Sequence, residues 1–337
     1  KPNTTQRKPM LLTQYILAII GGFIVLVWGA DRFVYGAAGT ARNIGVSTLV
    51  IGLTVVGFGT SAPEIPVSVI AALKGNPGIA VGNAIGSNIA NIALVLGITA
   101  LVSPLLVSSK ILKREFPIML FAMLVALFLL YDLQLDWIDG LILISGIVAF
   151  TFWLIKISRA EDNDTSLQED FESEIPRIPL KKAILWTLAG LILLLISSQV
   201  LVYGAVNIAK YFGVSDLIIG LTIIAIGTSL PELATSIMSA IKKEHDMAIG
   251  NIIGSNMFNL LAVLGIPAII ASPIPLTAEV VSRDYMMMLG LSIVLFIFAY
   301  GFKGPGRINR FEGGLLLLAY IAYMGALYMS VATTQST

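Results

Sequence analysis

The chain has 337 residues, 57% of them hydrophobic and only 12% charged, with a mean hydropathy of +0.90. An ordinary soluble domain carries about 25% charged residues, so this chain lacks the charge that solvates a globular surface, and a soluble enzyme is excluded. A net charge of +1 offers no basic face to nucleic acid, cysteine is absent, and the one histidine, His245, cannot build an imidazole metal centre.

Any metal ion handled here is therefore a hard cation held by oxygen. The polar segment 1–9 is set aside from the fold, and no cleavable signal is evident before the first apolar run. A helix crosses a bilayer with about 20 apolar residues. Ten stretches approach that length: 11–30, 44–73, 78–101, 115–131, 138–156, 183–208, 216–241, 247–271, 284–302 and 312–331. Neither Gly75–Ser109 nor Met247–Ala278 contains a charge. The stretches at 44–73, 78–101, 216–241 and 247–271 are rich in Gly, Ser, Thr, Asn and Pro, and the rest in Leu, Ile and Phe. Small and polar residues in lipid mark close packing or a polar pathway, so these four are expected inside and the others around them. The reading is an all-α polytopic membrane protein with no nucleic-acid partner and no cofactor.

Lys and Arg collect on the cytoplasmic side of membrane proteins. Of the 21 basic residues, 15 fall in the loops after the first, third, fifth, seventh and ninth stretches. That side is expected to be cytoplasmic, with both termini outside, in a plasma (inner) membrane. The one long loop, 157–182, holds an acidic run between Glu161 and Glu174. Its Asp162-Asn163-Asp164 lacks the following Gly and terminal Glu of an EF-hand loop, so it reads as a solvated linker.

The chain repeats itself. Gly52–Glu64 matches Gly220–Glu232 at 8 of 13 positions, and Gly82–Gly97 matches Gly250–Gly265 at 10 of 16, both at an offset of 168 residues. The division is then 11–156 for a first five-helix repeat, 157–182 for the linker and 183–331 for a second. Five spans is an odd number, so the second copy inserts upside down, the inverted-topology architecture of secondary transporters.

Two acidic residues, Glu64 and Glu232, sit well inside apolar stretches, at equivalent repeat positions. A carboxylate at a helix centre costs about 2.5–3.5 kcal/mol on insertion scales, and no Lys or Arg shares their stretches. They are expected to converge as ligands of a cation. Pro63 and Pro231 precede them, and proline breaks the helical hydrogen-bond ladder. The carbonyls of Gly57, Thr60, Ala225 and Thr228 can then turn towards an ion. Thr60 and Ser61 lie four and three residues before Glu64, on one helix face, and Ser229 lies likewise before Glu232. Ser87 with Asn91 and Ser255 with Asn259 add hydroxyl and amide oxygens at a spacing of four. Asn83 and Asn251 are read as satisfying the freed backbone. Together these groups supply the six to eight oxygens that Ca2+ takes, and Na+, close in size, can use the same set.

At these residues the sequence resembles the sodium/calcium exchanger family of the calcium/cation antiporter superfamily, in its compact prokaryotic form. The resemblance rests on Gly59-Thr-Ser-Ala-Pro-Glu64 with Gly82-Asn-Ala-Ile-Gly-Ser-Asn88, and on Gly227-Thr-Ser-Leu-Pro-Glu232 with Gly250-Asn-Ile-Ile-Gly-Ser-Asn256. It implies ten helices, of which the second, third, seventh and eighth surround the ions while the first and sixth slide across them. It implies a central Ca2+ held by Glu64, Glu232 and the Thr60 and Thr228 carbonyls. Flanking Na+ sites would use Ser61, Ser87 and the Gly57 carbonyl, and Ser229, Ser255 and the Ala225 carbonyl, with Asn91 lining the middle. Several relatives carry Asp where this sequence has Asn259, which leaves proton coupling and K+ dependence open.

The expected activity is Na+/Ca2+ antiport by alternating access. Ca2+/H+ antiport through the same glutamates is the alternative, and a cation channel a further one. No Walker-type Gly-x-x-x-x-Gly-Lys-Ser/Thr occurs. An intramembrane enzyme is disfavoured because no His or Lys base lies near Thr60, Ser61, Thr228 or Ser229.

Overall fold

Hydrocarbon offers no hydrogen bonds, so an apolar chain must satisfy its backbone within itself. The computed structural model describes residues 4–108, 111–161, 178–213, 223, 225–300 and 306–334, and most of them are helical. In chain order the helices are α1 Thr4–Ile44, α2 Thr48–Thr60, α3 Glu64–Leu73, α4 Pro77–Val102, α5 Phe116–Leu129 and α6 Trp137–Glu161. They continue as α7 Leu180–Tyr211, α8 Ala225–Thr228, α9 Leu230–Ile241, α10 His245–Ile270, α11 Val280–Ala299 and α12 Arg310–Thr334. Among the described residues seven of these are long and apolar enough to cross a membrane, namely α1, α4, α6, α7, α10, α11 and α12, and the bent pair α2–α3 makes an eighth. The protein is a multi-pass, all-helical membrane protein.

Burial separates centre from rim. The most apolar windows of α4 and α10 are 78% and 83% buried, against 11% for α1 and 17% for α12. Bare Leu, Ile and Phe on the rim helices, such as Leu17, Phe23, Leu188 and Leu318, are exposed, as lipid contact demands.

Glycine permits close helix approaches at two crossings. Where α2 crosses α10, a Cβ on Gly57 would stand 2.8 Å from the Ser255 amide nitrogen, and one on Gly250 2.8 Å from the Leu49 carbonyl oxygen. Where α1 packs on α7, a Cβ on Gly36 would strike the backbone of Thr187, and one on Gly190 that of Phe33. Without a hydrophobic force between helices in lipid, such close contact is a main source of cohesion.

Among the described residues four short strands lie between the helices. β1 Leu105–Val107 pairs antiparallel with β4 Gly306–Ile308, and β2 Gln134–Leu135 with β3 Ile274–Pro275. Each ladder ties a loop of the first half of the chain to a loop of the second.

Two sequence expectations change. The first apolar run was bounded at residue 30 by Asp31 and Arg32, yet α1 continues to Ile44 without a break. Its charges are accommodated in place. Lys242 Nζ lies 2.7 Å from Asp31 Oδ1, and the Arg32 guanidinium sits over Trp186 at 5.2 Å. Glu115, the first residue of the fourth stretch, is also deeply buried, at 1% exposed. Glu115 has its own cation, with Arg114 Nη2 2.6 Å from its Oε1, and Arg114 in turn lies over Trp153 at 5.8 Å. The strands also depart from a purely helical reading. Most of the 157–182 linker, with Asp162-Asn163-Asp164, and the start of the seventh stretch at 216 lie outside the described residues.

Candidate functional site

The site is built where two helices are interrupted. α2 ends at Thr60 and α3 starts at Glu64, with a bend of 44° between them. Across the gap the Ala62 and Glu64 amides reach back three residues, to the Gly59 and Ser61 carbonyls at 3.4 and 3.3 Å. Pro63 fills the position just before α3, where a missing N–H costs no hydrogen bond. The second break has the same design. The single turn α8 ends at Thr228, Ser229 adopts φ −89° and ψ 5°, and Pro231 lies in the first turn of α9. Glu64 and Glu232 thus occupy the first turns of α3 and α9. A helix N-terminus favours negative charge there.

Opposite the breaks run α4 and α10. Each carries a short π-helical stretch, Ala90–Val95 in α4 and Asn259–Val263 in α10. Asn91 and Asn259 sit in these stretches. A π-turn widens the helix locally and is frequent at functional sites.

Asparagines brace both breaks identically. Asn83 Nδ2 donates to the Glu64 carbonyl at 3.2 Å and to Ser68 Oγ at 3.0 Å. Asn251 Nδ2 donates to the Glu232 carbonyl at 3.3 Å and to Ser236 Oγ at 2.8 Å. Their reading as backbone-satisfying residues is what the geometry displays.

Other bonds cross between the halves. Ser61 Oγ donates to Glu232 Oε1 at 2.9 Å, Thr60 Oγ1 to Asn251 Oδ1 at 3.1 Å, and Ser255 Oγ to the Gly57 carbonyl at 3.1 Å. Asn91 Nδ2 donates to Asn256 Oδ1, and Asn88 Nδ2 to the Asn256 carbonyl, both at 3.2 Å. Gly57, Thr60, Ser61, Ser255 and Glu232 are therefore one connected cluster, and Asn91 joins α10 through Asn256. Ser87 and Ser229 are buried on α4 and before α9, but among the described residues no hydrogen bond ties either to a glutamate. Thr228 is half-buried at the end of α8, and Ala225 begins that turn.

Several buried polar atoms are left over. Glu64 Oε2, Glu232 Oε2, Asn91 Oδ1 and both polar side-chain atoms of Asn259 have no hydrogen-bond partner. Buried polar atoms are otherwise almost always paired. Among the described residues no three His, Cys, Asp or Glu side chains converge on a metal site. The arrangement instead combines two carboxylates with neutral hydroxyl, amide and carbonyl oxygens, a donor set suited to hard cations.

A family model described as "Sodium/calcium exchanger protein" matches residues 14–156 and 182–329. The chain belongs to the sodium/calcium exchanger family. That family is one of membrane exchangers rather than enzymes. Proteins similar to this one include the inner membrane protein YrbG of Escherichia coli, 42% identical over 95% of this chain and 98% of its own. The sodium/calcium exchanger MaX1 of Methanosarcina acetivorans is 29% identical over 94% of this chain and 99% of its own. A solved structure of the sodium-calcium exchanger NCX_Mj, soaked with Na+ and Sr2+, superposes with a TM-score of 0.80 at 33% identity, covering 93% of this chain and 98% of that one. Within this exchanger fold, sequence reasoning passed over Asn88 and Asn256 as ties between the halves. Their signal was present in the repeated Gly-Asn-x-x-Gly-Ser-Asn motif, which ends on both of them.

Proposed function

We propose that the chain is a Na+/Ca2+ antiporter that binds Ca2+ or Na+ in turn at one central cage and uses the Na+ gradient to move Ca2+. The observation that carries this reading is the pair of buried glutamates at repeat-equivalent helix breaks, each with an orphaned oxygen. Glu64 and Glu232 supply two negative charges, which balance one Ca2+. The Thr60 and Thr228 carbonyls, Asn91 and Asn259 complete its shell. Ser61, Ser87 and the Gly57 carbonyl on one side, and Ser229, Ser255 and the Ala225 carbonyl on the other, hold Na+ in its place. Shared ligands make the two ions compete, and competition couples their movements.

The wider architecture is read as ten transmembrane helices in two inverted five-helix repeats, 11–156 and 183–331. In this reading α5 and α9 complete the count. The cross-repeat strand pairs β1–β4 and β2–β3 support it, because the 168-residue offset carries β1 onto β3 and β2 to just before β4, so that one ladder is the repeat image of the other. The basic loops and the 157–182 linker face the cytoplasm, and the termini face outward across a plasma (inner) membrane.

The test is reconstituted Ca2+ flux with Na+, K+ and pH gradients imposed separately. A Na+ gradient alone is expected to drive Ca2+ movement. Flux driven by pH alone and indifferent to Na+ would replace this reading with Ca2+/H+ exchange, and persistent unitary currents would replace it with a channel. Glu64→Gln and Glu232→Gln are each expected to abolish Ca2+ transport while the protein still elutes as a folded species. Normal flux in either variant would remove the cage.

A further inference from the structure

Buried serine and threonine in helices usually return their hydroxyl to a carbonyl one turn back. Here Thr99 does so to Val95 at 2.7 Å, Thr187 to Ala183 at 2.9 Å and Ser292 to Met288 at 2.9 Å. Ser61 and Ser255 donate to the opposite half instead, and two sealed hydroxyls make no bond at all. Thr235 and Ser239 on α9 are fully buried, and among the described residues theirs are the only hydroxyl oxygens sealed from solvent with no hydrogen-bond partner.

Their place on the helix is telling. Thr235 is three residues beyond Glu232, about 4.5 Å along the axis, and Ser239 is seven beyond, about 10 Å along. Seven residues drift only about 20° around a straight helix, so Ser239 shares the face of Glu232. The orphaned Glu232 Oε2 and the two orphaned hydroxyls make a row of oxygens from the helix break towards the end of α9. That end carries Lys242, paired with Asp31 of α1. The repeat mates of Thr235 and Ser239 are Val67 and Ala71, so the first half has no such row.

We infer that Thr235 and Ser239 form a second resting place for a monovalent hard cation of the Na+ class, on the Glu232 face of α9 between the central cage and the C-terminal end of that helix. The inference rests on the antiport reading above and adds a one-sided access step to it. Two neutral hydroxyls, with the single Glu232 carboxylate at the cage end of the row, suit a single charge. Ca2+ takes six to eight oxygens and more compensating charge, and this row supplies neither.

The experiment is Thr235→Val with Ser239→Ala, reconstituted in proteoliposomes beside the parent. The half-saturating Na+ concentration for Na+-driven Ca2+ flux is expected to rise about tenfold, the loss of hydroxyl contacts to a charged partner. Ca2+–Ca2+ self-exchange in Na+-free buffer is expected to change far less, and Thr235→Ser with Ser239→Thr, which keeps both hydroxyls, to restore the parent's Na+ dependence. An unaltered Na+ dependence in the first variant overturns the site. Equal losses of Na+-driven flux and self-exchange, or no rescue by the hydroxyl-preserving variant, assign the two residues to packing and overturn it as well. Failure of the antiport reading shows separately, in a parent that carries no Na+-driven Ca2+ flux.

Discussion

Asn259 sets the charge of the proposed cage. It is completely buried in the π-helical stretch of α10, and neither polar end of its amide is paired. An amide there adds oxygen without charge, so the site's formal charge rests on Glu64 and Glu232 alone. Asn259→Asp adds a third, titrating carboxyl to the same space. The pH profile of reconstituted Ca2+ flux is expected to shift by about one unit or more in that variant, since neighbouring charge moves carboxyl ionisation on that scale. Superimposable profiles would make position 259 a packing residue. The acids and amides of the site were legible in the sequence because polar groups in an apolar stretch are costly and here recur at one fixed offset. Their partners were not. The offset says that Ser61 and Ser229 are equivalent, but not that Ser61 binds the glutamate of the opposite half, since that depends on how the halves meet.

Among the helices, the α2–α10 crossing holds the break of one half against the opposite helix of the other. A Cβ on Gly254 would run into the Leu53 carbonyl, and one on Gly57 into the Ser255 amide. Backbone at this range cannot yield as a flexible side chain does. Gly254→Ala is therefore expected to cost about 1–3 kcal/mol as overpacking, read as a lower thermal midpoint in detergent together with slower Ca2+ flux. Gly325→Ala is the control, because nothing lies within 4 Å of its added carbon. Equal midpoints for the two variants would mean that the crossing is looser than the structure has it. Element positions were largely readable from hydropathy, and the helix break from Pro63. Element lengths were less so. The run of α1 past Asp31 was hidden because those charges are satisfied by Lys242 and the ring of Trp186, groups far away in sequence.

At the scale of the whole molecule, α1 and α7 form an exposed pair leaning on a buried centre. Their seam is close and backbone to backbone, at Gly36 against Thr187 and Gly190 against Phe33, so they are built to move as one body. The resemblance to exchangers implies that this pair slides over the centre. A specific polar tie spans that boundary at the end of α9, where Lys242 Nζ meets Asp31 Oδ1 at 2.7 Å. Both side chains are about a third exposed, and such a pair contributes only about 0–1 kcal/mol. It is too weak to hold the fold together and weak enough to break in every cycle. The equivalent positions in the repeat are Gln199 and Lys74, which cannot form an ion pair, so the tie acts at one end only. The absence of cysteine makes the point directly testable. In Asp31→Cys with Lys242→Cys, bridging by a short reducible bifunctional thiol reagent is expected to stop Na+-driven Ca2+ flux, and reduction to restore it. The uncrosslinked variant is expected to keep flux within about threefold of the parent, as befits a pair of that strength. Full turnover with the bridge in place would show that α1 and α9 travel together, and the sliding boundary would then have to lie elsewhere in the molecule.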